Sequence, residues 1–276
     1  MSESKTKKQK IVSSSLSCYF CGIAAPTTVD HFPPRICFVS RLGPEEFEFP
    51  SCYQCNGMMR YVEQAVGCYV HLTDQREERL IESETLKHYV GIKNNFPELM
   101  PILDVSANEK RRALKFHHKR FRVATTFAEE PIVQFPAQVG RAFDLFSAKM
   151  MLALYFKTFQ ECAKDQQVIW ADWRPYTHSK APELVDLMTR QLPSLTLSSR
   201  RNVNIGDQFA YRWGSSRDPI RFGILAQIRE SAYFFGMIAD DTGDPRLSSW
   251  KKVGKFRAES TQLLSNDPKR WVFQTE

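Results

Sequence analysis

The chain has 276 residues, 42% apolar and 25% charged, which is enough to bury a sizeable core and too apolar for a disordered chain. Its formal charge of +7 is spread along the sequence, so charge alone favours an anionic partner only weakly. The opening M-S-E-S-K-T-K-K-Q-K leads into no signal-peptide core, and the longest clean apolar run, Met150 to Phe156, is far short of the ~20 residues of a membrane span; a cytoplasmic chain with no membrane partner is therefore expected.

In chain order, residues 1–15 read as a basic, disordered, solvated tail. Residues 16–75 hold most of the turn punctuation, with five of the seven cysteines between Cys18 and Cys55. Residues 76–135 read as a mostly helical connector, with R-E-E-R-L-I-E-S-E-T-L-K-H-Y-V followed by a capped basic helix in S-A-N-E-K-R-R-A-L-K-F-H-H-K-R. From Val139 to Cys162 the sequence is apolar all round, as expected of a helix at the centre of a domain. Beyond it the period changes to that of strands: Q-V-I-W-A-D-W, Q-F-A-Y-R-W, I-R-F-G-I-L-A-Q-I and A-Y-F-F-G-M-I-A, the last two separated only by R-E-S, as in a hairpin. Residues 136–276 thus read as an α plus antiparallel β domain for recognition or assembly, which makes the chain α+β.

An odd number of cysteines in a cytoplasmic chain argues against a disulfide framework and for metal ligands or buried thiols. Cys18 and Cys21 form one C-x2-C and Cys52 and Cys55 another, so four thiolates can meet one tetrahedral zinc ion. The 30 residues between the pairs exceed a compact zinc ribbon, so a further element is built into the loop. That loop contains D-H-F-P-P-R. A carboxylate next to an imidazole divides the work of hydrolysis: Asp30 holds a divalent cation while His31 takes a proton from the attacking water. After Cys55, the segment G-M-M-R-Y-V-E-Q-A-V-G-C-Y-V reads as a helix with Asn56, Arg60 and Glu63 opposite its apolar face.

Together, C-Y-F-C-G, D-H-F-P-P-R and F-P-S-C-Y-Q-C-N with an acidic residue one to two turns later resemble the HNH endonucleases, over residues 16 to 66 only. The resemblance implies a ββα-metal module with a four-cysteine structural zinc, Asp30 and Asn56 as ligands of a catalytic Mg²⁺ or Mn²⁺, and His31 as general base. It implies hydrolysis of phosphodiester bonds in DNA, double-stranded in the first instance, in a setting such as phage defence or a mobile element. Two positions depart from the family pattern. Phe47 stands where an Asn orients the base, and Arg60, which cannot bind a cation, stands where a further ligand is expected. Glu63, ~10.5 Å along the helix from Asn56, is the candidate substitute ligand or else a residue of the solvated helix face, while His71, at ~22 Å, is too far. Arg35 and Arg60 are the candidate phosphate clamps. The alternative is a catalytically silent zinc module that binds nucleic acid or a protein partner, with self-association through the C-terminal domain a further possibility.

Other conspicuous residues have plainer readings. The basic stretch 110–122 is a phosphate-binding or simply solvated helix face, and His117 and His118 diverge too far on a helix to share a metal. Cys37, Cys68 and Cys162 sit singly among apolar residues as buried spectators.

Overall fold

The structure is a computed structural model in which residues 3–74, 82–101, 106, 108, 111, 135–176, 181–200, 203–217 and 220–263 are described. Helix α1 (Glu3–Val12) opens the chain. It corrects the expectation of a disordered tail: no Gly or Pro interrupts E-S-K-T-K-K-Q-K-I-V, and the helix docks on the following hairpin, where Lys7 Nζ meets Glu48 Oε2 at 2.5 Å. That hairpin pairs β1 (Thr28–His31) antiparallel with β2 (Glu48–Ser51), in a register that sets Asp30 opposite Phe49 and His31 opposite Glu48.

The helix expected after Cys55 is broken in two, α2 (Tyr53–Met58) and α3 (Arg60–Thr73), which meet at Met59. Cys52 caps α2 by accepting from the Cys55 N–H. α3 is amphipathic as its spacing implies, burying Val62, Ala65, Val66, Tyr69 and Val70. Helix α4 (Glu82–Asn95) packs on α3, and its Glu84 carboxylate accepts from the Ser40 N–H at 3.0 and 3.1 Å, tying α4 to the loop between β1 and β2. The basic stretch 110–122, with His117 and His118, lies outside the described residues apart from Arg111.

Helix α5 (Ala137–Phe159) is buried over most of its circumference because it is sandwiched, α3 on one side and the sheet on the other. The sheet consists of β3 (Gln167–Pro175), β4 (Ser194–Leu197), β7 (Phe209–Arg217), β8 (Ile220–Ile228), β9 (Ala232–Asp240) and β10 (Lys251–Lys252), in the order β10-β3-β9-β8-β7-β4 with every pairing antiparallel. The expected hairpin across R-E-S is β8–β9. The short pair β5 (Ser199–Arg200) and β6 (Val203–Asn204) and helix α6 (Ala181–Gln191) flank β4, β7 and β8, and α7 (Val253–Leu263) follows β10.

One hydrophobic cluster runs from Cys18 and Phe20 through Val62, Phe146 and Phe234 to Phe256. The cysteine-bearing module, α5 and the sheet therefore share a single core, and packing is not interrupted at the boundary expected near residue 136. No helix among the described residues is long and apolar enough to cross a membrane.

Candidate functional site

The two cysteine pairs converge. Cys18, Cys21, Cys52 and Cys55 are all buried, with their Sγ atoms within 4.8 Å of one another, a donor set that could hold a metal such as zinc. The first knuckle turns at Gly22, whose φ of 66° is the left-handed region that glycine enters freely, and the Gly22 N–H closes the turn on the Cys18 carbonyl at 2.8 Å. The Tyr19 N–H donates to Pro50 O, so this knuckle is laced directly to β2. Behind it, the buried Arg257 of α7 donates to Cys21 O at 3.2 Å and Ala163 O at 2.6 Å. Of the three lone cysteines, Cys37 and Cys68 are buried, and burial pushes the Cys68 thiol up to about 12. Cys162 is half-buried, its Sγ 3.5 Å from the Cys18 carbonyl oxygen.

Asp30 and His31 leave β1 on opposite sides, as neighbours on a strand must. Asp30 points inward and is only 3% exposed. Its Oδ2 accepts from the Tyr19 hydroxyl at 2.7 Å and from the Lys149 ammonium at 2.7 Å. The same ammonium donates to Glu63 Oε1 at 2.8 Å and lies 4.6 Å from the centre of the Phe32 ring. Lys149 is completely buried. Burial would lower its pKa, but the Asp30 and Glu63 carboxylates more than reverse that, so the amine keeps its proton. Burial pushes Glu63 upward, an effect that the ammonium partly offsets.

His31 faces outward with its side chain 36% exposed. Burial and the Arg35 guanidinium lower its pKa while Glu48 pulls it back, which leaves a neutral ring at neutral pH. Glu48 Oε1 lies 3.6 Å from His31 Nδ1 and 4.0 Å from Arg35 Nη2. Phe47, at the position of the expected orienting Asn, turns into the core instead, edge-on to Phe209 at 5.2 Å and under the Lys157 ammonium at 4.5 Å. Its neighbour Glu48, paired across the ladder with His31, flanks the imidazole in its place.

Asn56 does not join Asp30. Its amide donates to Val29 O at 3.2 Å and Thr28 Oγ1 at 3.4 Å, fastening α2 to β1. Glu63 does join Asp30, but through an ammonium. The residues present therefore do not fit the expected Mg²⁺ or Mn²⁺: the position between the two carboxylates is filled by a side chain, and Asn56 is turned to the backbone. Arg35, Arg60 and the unforeseen Arg41 line a cleft of about 680 Å³ together with Glu63, Gln64 and Asn95. His71, set aside as a ligand from its distance, is buried in a separate cluster with Arg229 and Asp74.

Sequence reasoning missed Lys149, Tyr19, Glu48 and Arg41. Only Lys149 left a signal: it is the lone charge in the run F-S-A-K-M-M-L-A-L-Y-F, and a charge within a buried helix demands a partner. Comparison with protein-family models, curated proteins and solved structures finds no match for this chain.

Proposed function

We propose that the chain is a zinc-stapled, HNH-like ββα module joined to an α+β domain, and that it binds nucleic acid without cutting it through a divalent ion. The observation that carries this reading is Lys149. Its ammonium already bridges Asp30 and Glu63, the carboxylates that a hydrolytic cation would need. The positive charge beside them is left available: Arg41 and Arg60 are exposed, make no ion pair among the described residues, and share one cleft with Arg35. Guanidiniums clustered in a cleft suit phosphate oxygens, which they engage in pairs of hydrogen bonds.

Fluorescence anisotropy with labelled duplex DNA, single-stranded DNA and RNA over a salt series tests the reading. Affinity should fall linearly with the logarithm of salt, and Arg41→Ala and Arg60→Ala should each reduce the slope by about one phosphate contact. Unchanged slopes would remove the cleft from the interface.

A second reading, HNH-type hydrolysis of duplex DNA, is favoured by His31, a half-exposed neutral imidazole with Glu48 3.6 Å from its Nδ1. The same protein incubated with plasmid in Mg²⁺ or Mn²⁺, beside EDTA controls, separates the two. Metal-dependent nicking by the unaltered chain would establish the second and sink the first.

A further inference from the structure

Lys149 is held unlike any other lysine among the described residues. Two carboxylates from different elements, Asp30 of β1 and Glu63 of α3, approach one ammonium of α5 at 2.7 and 2.8 Å, and none of the three side chains is more than 16% exposed. The ammonium can donate three hydrogen bonds: two go to the carboxylates, and the Phe32 ring lies 4.6 Å away. Tyr19 supplies Asp30 with a further donor. Burying an ion costs several kcal/mol, and two buried carboxylates facing each other without a cation would repel, so both stay ionised here only with a positive charge between them.

We propose that Lys149 is a resident cation that holds a divalent-ion site shut, and that removing its amine converts Asp30 and Glu63 into a site for a hard divalent cation. Ca²⁺, which accepts irregular oxygen shells, is expected there ahead of Mg²⁺, which demands a near-ideal octahedron. The carboxylate oxygens stand 2.7 and 2.8 Å from the nitrogen that an ion would replace, so small side-chain shifts would bring them to the ~2.3–2.6 Å of Ca²⁺–oxygen bonds. The oxygen donors of two carboxylates suit a hard ion and leave zinc to the four thiols. Glu63 also lines the 680 Å³ cleft, so one of the two carboxylates borders the side from which an ion and its water would approach.

The test is isothermal titration of the full zinc-loaded chain with Ca²⁺, Mn²⁺ and Mg²⁺, with melting temperature read in parallel. Wild type should show no saturable binding of any of the three at this site. Lys149→Ala should bind one Ca²⁺ or Mn²⁺ at least about tenfold more tightly than wild type, with a melting temperature that rises as the ion is added. Adding Glu63→Gln in that background should abolish both effects. If Lys149→Ala is unfolded without metal, Ca²⁺ should refold it.

Three results would overturn the proposal: wild type binding the ion as tightly as the variant, a Lys149→Ala chain that neither binds nor refolds in saturating Ca²⁺, or binding that survives Glu63→Gln. None of these outcomes depends on nucleic-acid binding, so the fate of the functional reading is decided separately.

Discussion

The histidine set aside as a ligand supplies the sharpest test of the packing. His71 is 7% exposed at the junction of α3 with the β8–β9 turn. Its Nδ1 accepts from Arg229 Nη1 at 2.8 Å, which leaves Nε2 to donate to Ile36 O at 2.9 Å; this pattern requires a neutral ring. Burial, the Arg229 guanidinium and the neighbouring His88 ring, at a centroid distance of 4.2 Å, push its pKa down to about 3, against the weaker upward pull of Ile36 O and Asp74. The folded pKa lies below the unfolded one, so the stability that His71 contributes is complete above the ordinary imidazole value and is lost as pH falls. Between pH 7 and pH 5 the unfolded chain takes up most of a proton that the folded chain refuses, a loss of about 2 kcal/mol at 1.36 kcal/mol per unit. Urea denaturation of wild type and His71→Gln at several pH values is the assay. Glutamine keeps one donor and one acceptor but cannot be protonated, and every other titrating group, the zinc thiols included, is common to both chains. Wild type should lose about 2 kcal/mol more than the variant across that interval. Parallel curves would show that His71 is protonated in the folded state and that the hydrogen-bond pattern is wrong.

The four thiols should carry about one zinc per chain, and Cys52→Ser should lose both the metal and the fold of the hairpin module, because binding energy at such a site is largely folding energy; metal analysis of folded protein settles this, with Cys37→Ser, which lies outside the cluster, expected to retain its zinc. His31→Ala should leave zinc content and melting temperature nearly unchanged, since the ring is part-exposed and its ion-pair partner among the described residues, Glu48, is 3.6 Å away, and it should abolish any cleavage activity the chain has; cleavage that persists would take His31 out of the chemistry.

What was legible in the sequence was local. The β8–β9 hairpin showed itself because two β-rich runs flank a three-residue turn, α5 because it is apolar on every face, and the thiol cluster because C-x2-C spacing brings two ligands together before any tertiary structure forms. The helical pattern of α3 was also readable, but not its break from α2 at Met59. Residues 3–12 illustrate a different limit. Their charges suggest a solvated tail, yet charged residues are good helix formers, and the hairpin on which the helix docks, with Lys7 on Glu48, includes a strand about forty residues away.

The candidate site was half legible for the same reason. Asp30, His31, Asn56 and Glu63 lie within one short stretch, and their spacing suggested a cation between carboxylates. The cation between Asp30 and Glu63 in the structure is instead an ammonium contributed 86 residues after Glu63, from a helix that pattern reading assigned to another domain. Spacing along a chain can specify which groups face a common point, but not what reaches that point from elsewhere in the fold. Lys149 also accounts for the continuous core. A buried lysine on α5 is tolerable only while β1 and α3 hold their carboxylates against it, and those carboxylates are tolerable only while α5 is docked. The thiol-stapled module and the central helix are thus each other's charge compensation, and neither should be stable when expressed without the other.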